Sequence, residues 1–157
     1  MHRLLGLGLC ALVACDSGTP VAHDKADKPG KRSKAEKAEQ SAKEFDDMLV
    51  APSADVIAAL GADVYPGARM LKGFAAMRSE AGGRSTVDYI FFTPDPAPKV
   101  REFYAGKLAA AKPGDPMMEK MGAYVVKGTN ANGDEVTVQA RATGTKTDFH
   151  FIVTKKK

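Results

Sequence analysis

The sequence predicts an α+β fold with a mainly antiparallel sheet of five strands, in the order β-β-α-β-β-β. One amphipathic helix is expected to pack on a face of this sheet, preceded by a short helix and a flexible tether. Three observations predict this fold. Apolar residues alternate in strand-like segments between residues 69 and 154. A stripe of apolar residues at helical spacing follows residue 96. Residues 16–50 are rich in charge and contain few large apolar side chains.

Residues 15–50 are predicted to form a charged, flexible tether that is partly helical from residue 33. Ser33 is followed three residues later by Glu36, which is the spacing of a capping box and favours a helix start. Only Phe45 and Leu49 are large on the apolar face of this helix. We therefore expect the helix, if it docks on the domain, to do so by its C-terminal end.

A single domain is predicted over residues 51–157. It begins with a short helix over residues 54–60, for which Ser53 is the expected N-cap and Gly61 the expected stop. The pattern of apolar residues then predicts a first strand over residues 69–78.

The second strand is predicted over residues 85–92, and Gly82-Gly83 is expected to supply the hairpin connection before it. The long helix is then expected to begin with Asp95 as N-cap and Pro96 as its first residue, and to continue to Lys112. Its apolar stripe comprises Val100, Phe103, Tyr104, Leu108 and Ala111.

Three further strands are predicted over residues 123–127, 135–142 and 148–154, and they would form two consecutive hairpins. The connection between the first two of them carries oxygen side chains at alternate positions, as a calcium loop does. However, Glu135 stands where such a loop requires glycine, and Arg141 stands where it requires a bidentate acid. The connection is therefore predicted to be a hairpin turn.

The N-terminal segment ends in Leu12-Val13-Ala14-Cys15, after a short basic stretch and an apolar run over residues 4–14. This run is too short to span a bilayer, which takes about 20 residues. The four residues have the form of a lipobox, and the segment resembles the signal sequence of bacterial lipoproteins. The resemblance implies that residues 1–14 are a signal peptide, cleaved between Ala14 and Cys15, and that Cys15 is the lipidated residue.

Lipidation at Cys15 would make the membrane the first partner of this protein. Each buried methylene contributes about 0.8 kcal/mol, so the three acyl chains of a lipoprotein would hold it firmly. The expected location is the cell envelope, facing the periplasm or the exterior, on either the inner or the outer membrane. The formal net charge of +4 does not indicate a nucleic-acid partner, because an exported lipoprotein does not meet a genome.

A second resemblance covers residues 63–108. It is carried by Tyr65-Pro66-Gly67-Ala68, by Phe92-Thr93-Pro94-Asp95, and by the helix with Val100, Phe103-Tyr104 and Leu108. These segments resemble small envelope lipoproteins of unassigned function, which share a Tyr-Pro-Gly-Ala turn and a Val-x-x-Phe-Tyr helix. The resemblance implies a fold and an envelope setting rather than a reaction.

The inventory of chemically active residues does not favour an enzyme. Beyond residue 14 the histidines are His23 and His150, and Cys15 is consumed by lipid, so no metal or cofactor site is predicted. His150 is expected on a sheet face without a catalytic role. The spacing of Asp88, Glu102 and Asp148 does not indicate that they act as catalytic acids. The aromatic residues are expected in the core: Phe74, Tyr89, Phe103, Tyr104 and Tyr124.

These observations predict a non-enzymatic binding or interaction module anchored in the envelope, with an envelope protein as its partner. One alternative is a carrier of a small apolar or lipid ligand held between helix and sheet, and another is a cell-envelope hydrolase. The three functions predict different structures. A binding module needs an exposed apolar patch or an open sheet edge, a carrier needs an apolar cavity, and an enzyme needs a cleft with convergent polar groups.

Overall fold

The structure, a computed structural model, describes residues 33–74 and 76–156. The predicted signal peptide, the predicted lipobox and Cys15 lie outside these residues. The elements along the chain are α1 (Lys34–Asp47), β1 (Leu49–Val50), α2 (Ala54–Leu60), β2 (Met70–Leu71), β3 (Met77–Ala81), β4 (Arg84–Thr93), α3 (Ala97–Lys107), β5 (Ala109–Pro113), α4 (Pro116–Lys120), β6 (Ala123–Thr129), β7 (Glu135–Thr143) and β8 (Lys146–Lys156).

The main sheet confirms the α+β class and the antiparallel pairing. Its six strands lie in the order β3-β4-β8-β7-β6-β5, and each neighbouring pair is antiparallel. α3 packs across one face of this sheet, against β6, β7 and β8, as the sequence predicts. We call this the core face and the other side the open face. The predicted count of five strands is wrong, because β5 adds a sixth.

β5 arises from residues that were expected to continue the long helix to Lys112. The helix ends at Lys107, Leu108 is extended and buried, and Ala110 has a φ of 50°. Gly128 allows β5 to lie close to β6, since a Cβ at this position would be 2.8 Å from the Cβ of Leu108. Sheet pairing and the burial of Leu108 therefore prevail over the helical propensity of this alanine-rich segment.

The helix N-terminus also differs from the prediction. Pro96 is the N-cap of α3 and Ala97 its first residue, whereas Asp95 was expected at the cap. The Asp95 carboxylate instead accepts a hydrogen bond from the Tyr65 hydroxyl at 2.9 Å. The acid therefore ties the turn before β2 to the start of α3.

The first predicted strand, over residues 69–78, is interrupted. Arg69 forms an isolated bridge with Phe92, and Met77 pairs with Asp88, so both ends lie along the same edge of β4. Arg69 and Met77 are eight positions apart, whereas their partners Phe92 and Asp88 are only four positions apart. The chain therefore leaves the edge of β4 in a loop near Gly73, whose φ is 78°. Before this loop, β2 pairs with β1 in a small two-stranded sheet.

The hydrophobic core lies between the core face, α3 and α2. Its largest fully buried side chains are Tyr104, Phe91, Phe149, Phe151, Leu60 and Val100. On the other side, α1 docks by its C-terminal end, as predicted, with the Phe45 ring edge-on to Phe92 at 5.1 Å. Among the described residues, no helix is long and apolar enough to cross a membrane.

Candidate functional site

A shallow apolar groove lies between α2 and the β1–β2 pair, with a volume of about 240 Å³. We call it the apolar groove. It is lined by Val50, Ala51, Ser53, Val56, Met70, Leu71, Gly73 and Phe74. In β1, alternate side chains face opposite sides, so Leu49 is buried while Val50 remains 38% exposed. Phe74, which was expected in the core, is 36% exposed because the interrupted strand places it in the loop.

α2 forms one wall of the groove and is fixed at both ends. The Ser53 hydroxyl accepts a hydrogen bond from the backbone N–H of Val56, and Gly61 ends the helix in the left-handed conformation, so both sequence predictions are confirmed. The buried Asn130 side chain, in the β6–β7 turn, donates to the Leu60 carbonyl at 2.8 Å. The main sheet therefore holds α2, and with it this wall of the groove, in place.

Exposed large apolar side chains concentrate in the part of the chain that builds this groove. Those from residues 48–77 are Met48, Val50, Ile57, Phe74 and Met77. The others among the described residues are Met117 and Met121, in and after α4. Of these side chains, Val50 and Phe74 line the groove, and exposed apolar side chains that gather in a patch are typical of interaction surfaces.

A second concave surface, of about 390 Å³, lies beneath the C-terminal end of α1. It contains two cationic side chains, and both already form contacts with other residues of the chain. The Arg69 guanidinium donates to the Leu49 carbonyl, and Lys146 forms an ion pair with Asp46 of α1. This region consequently serves to hold α1 in place and is less suited to binding an anionic ligand.

The open face carries a polar cluster that sequence spacing did not reveal. The His150 Nδ1 lies 2.9 Å from an Asp88 carboxylate oxygen, and its Nε2 lies 3.8 Å from Asp148. Asp148 is buried and accepts hydrogen bonds from Arg141 at 3.0 Å and from Thr143 at 2.5 Å. We call these five residues the open-face cluster. His150 lies on a sheet face, as predicted.

The open-face cluster lacks the geometry of a nucleophilic site. Asp88 could orient His150 as a general base, and the nearby hydroxyl of Thr143 would then be the nucleophile. However, this hydroxyl donates its hydrogen bond to Asp148 and not to the imidazole of His150. Glu102 lies on α3, which packs on the core face, and so does not join the two aspartates. Among residues 33–74 and 76–156, no group of three or more His, Cys, Asp or Glu could hold a metal ion. Cross-strand pairs of this kind stabilise a sheet.

The residues behind the second family resemblance form one packed junction. The Tyr104 hydroxyl accepts a hydrogen bond from the backbone N–H of Tyr65 at 3.1 Å, and the Tyr65 ring packs edge-on against Phe103 at 5.3 Å. Burial, reinforced by the carboxylate of Asp95, raises the pKa of Tyr65 to about 12. Burial also raises the pKa of Tyr104. Both hydroxyls stay protonated at neutral pH and join the turn to α3.

Two connections that the sequence predicts as hairpin turns have the geometry of turns. Gly82 and Gly83 have φ angles of 58° and 71°, which is typical of a two-residue hairpin connection. In the β6–β7 connection the Asn130 side chain accepts hydrogen bonds from the backbone N–H groups of Asn132 and Asp134. The connection is therefore a turn, as predicted, and the Asn130 side chain holds it together.

Comparison of the chain with known protein families, with characterised proteins and with solved structures finds no match. An assignment of function therefore depends on features of the chain itself: the segment that resembles a lipobox in the sequence and the apolar groove in the fold.

Proposed function

We propose that this protein is a membrane-anchored lipoprotein of the bacterial envelope whose α+β domain binds an envelope protein without catalysing a reaction. The observation that carries the binding role is the apolar groove, where Val50 and Phe74 remain more than a third exposed. Covering such side chains contributes about 25 cal/mol per Å² of apolar area. A partner that presents apolar side chains to the groove would gain this free energy.

The alternatives have weaker support. A carrier with its ligand between helix and sheet would have to displace packed core residues, since the Tyr104 ring lies 5.3 Å from Phe151 and both are fully buried. A hydrolase would have to use the open-face cluster, in which the hydroxyl of Thr143 is bonded to Asp148. The apolar groove needs no such rearrangement to accept a partner.

The anchoring half of the proposal predicts that Cys15→Ala leaves an uncleaved precursor without lipid. The reason is that cleavage and acylation of a lipoprotein both require the lipobox cysteine. The measurement is the intact mass of the full chain recovered from membranes. Cys10→Ala is the matched control, because Cys10 lies within the predicted signal peptide, and this variant should mature normally. A Cys15→Ala chain that still matures with bound lipid would refute the anchoring.

The binding half predicts that Phe74→Asp abolishes a specific contact with an envelope protein. A carboxylate in the groove loses its hydration when a partner covers it, and this desolvation opposes binding. The measurement is the set of envelope proteins cross-linked to the full chain in cells, compared with the unaltered chain. Met121→Asp is the control, since Met121 is more exposed, at 68%, and does not line the groove. Equal cross-linking by both variants would contradict a role for the groove.

A further inference from the structure

The margin of the main sheet formed by β5 carries two like charges directly opposite each other. Lys112 of β5 is the register partner of Lys127 of β6, so the two side chains project from the same face of the sheet. This is the open face, because the neighbouring Val126 is buried in the core. Both lysines are exposed. Like charges in this arrangement repel, so the pair opposes the pairing of the two strands.

The repulsion between these lysines is not offset by an acidic neighbour. Among residues 33–74 and 76–156, no carboxylate forms an ion pair with Lys112, Lys127 or Lys120, which ends α4. Elsewhere on the main sheet, basic side chains do meet acids. The ion pairs there include Arg84–Glu135, Lys155–Asp134 and Arg141–Asp148.

The acids near this margin hold α4 in place. The Asp115 carboxylate accepts a hydrogen bond from the backbone N–H of Met117 at 2.8 Å and so caps α4. The Glu119 carboxylate lies 3.0 Å from the guanidinium of Arg101, on α3. Because both acids have these partners, the positive charge of the three lysines at this margin remains uncompensated.

Exposed apolar side chains accompany the lysines. Met117 and Met121 lie in and just after α4, which connects β5 to β6, and they are the most exposed large apolar side chains of the described residues. Methionine is unbranched and flexible, so it adapts to irregular apolar surroundings. Lysines together with exposed apolar side chains are typical of surfaces that rest on an anionic bilayer.

We propose that this margin is a second contact with the membrane, at which its lysines bind the phosphates of anionic phospholipid headgroups. We call it the basic margin, and it comprises Lys112, Met117, Lys120, Met121 and Lys127. The inference rests on the anchoring half of the proposed function, because lipid on Cys15 would bring the domain close to a bilayer. It does not use the apolar groove, which none of these five residues lines.

The contact can be tested by fluorescence quenching on the lipidated full chain. Met121→Cys, in a chain carrying Cys10→Ala, supplies one thiol for a fluorophore, since Cys15 is expected to be acylated. The labelled chain is reconstituted into vesicles of phosphatidylglycerol or of phosphatidylcholine, both containing a lipid with a spin-labelled headgroup that quenches nearby fluorophores. We expect strong quenching in phosphatidylglycerol and little in phosphatidylcholine. Met77→Cys, exposed at the opposite margin of the sheet, is the matched control and should show little quenching in either.

The role of charge can be tested by Lys112→Glu in the Met121→Cys chain, because this change should move two properties in opposite directions. Each basic residue near an anionic surface contributes about 1 kcal/mol, so the population in contact with phosphatidylglycerol should fall about fivefold or more. The new carboxylate would lie opposite Lys127, and this pair of opposite charges should raise the urea midpoint of unfolding. A damaged fold would instead lower both. Lys72→Glu, exposed and outside the basic margin, is the charge-matched control and should leave the quenching unchanged.

Three results would overturn the basic margin while leaving the anchoring intact. These are equal quenching at positions 77 and 121, equal quenching in the two lipids, and quenching that Lys112→Glu does not reduce. Attachment of a second fluorophore, at Cys15, would show instead that this thiol is not acylated. That result would overturn the anchoring and, with it, this inference.

Discussion

Phe149→Ala is expected to lower the free energy of unfolding by about 3–5 kcal/mol. Phe149 is fully buried on β8, a central strand of the main sheet. Its ring stacks on Phe91 at 5.2 Å and lies 6.0 Å from both Tyr65 and Tyr104. Because paired strands and α3 surround this site, the cavity left by the substitution cannot collapse readily. This is the largest effect of a single substitution that we expect.

The measurement is urea-induced unfolding followed by circular dichroism. Phe74→Ala is the matched control, since it removes the same atoms from a side chain that is 36% exposed in a loop. We expect this control to cost less than about 1 kcal/mol. If the two variants lost equal stability, the arrangement of the core around Phe149 would be wrong.

Asn130→Ala is expected to cost about 2 kcal/mol of stability and also to weaken partner binding. The change removes the donor to the Leu60 carbonyl and the acceptor for the backbone N–H groups of Asn132 and Asp134. Leu60 is the last residue of α2. Loss of the hydrogen bond to its carbonyl therefore loosens α2, which forms one wall of the apolar groove.

The stability of the Asn130→Ala variant is measured by thermal unfolding, and its binding by cross-linking in cells at a temperature where the variant is folded. Asn132→Ala is the control, because the Asn132 side chain is exposed. We expect this control to change stability by less than about 0.5 kcal/mol. An Asn130→Ala chain as stable as the control would show that the turn does not depend on this side chain.

Features governed by neighbouring residues were predicted well from the sequence. The Ser53 cap and Gly61 stop of α2 are decided by local backbone hydrogen bonds, and both were predicted. The hairpin at Gly82-Gly83 follows from the left-handed conformation that glycine adopts freely. In β7 and β8, alternate apolar residues are buried in the core, as the period of two predicts: Val136, Val138, Ala140, Phe149, Phe151 and Val153.

Features decided by distant contacts were not predicted. The change from helix to β5 after Lys107 depends on Gly128, which lies far along the chain and makes room for the strand. The position of Phe74 depends on the loop that separates β2 from β3. The pairing of Asp88 with His150 depends on the register between β4 and β8, which no single segment of sequence contains.

The central claim is that the apolar groove is covered by a protein partner in the envelope, and site-specific photo-cross-linking tests it most directly. A photoreactive residue replaces Ala51, which is exposed and lines the groove, in the full chain expressed in cells. The same residue at Ala105, exposed on α3, is the matched control. We predict a discrete adduct with an envelope protein from position 51 that Phe74→Asp removes, and no such adduct from position 105. Absence of an adduct from position 51, or the same adduct from both positions, would contradict the account.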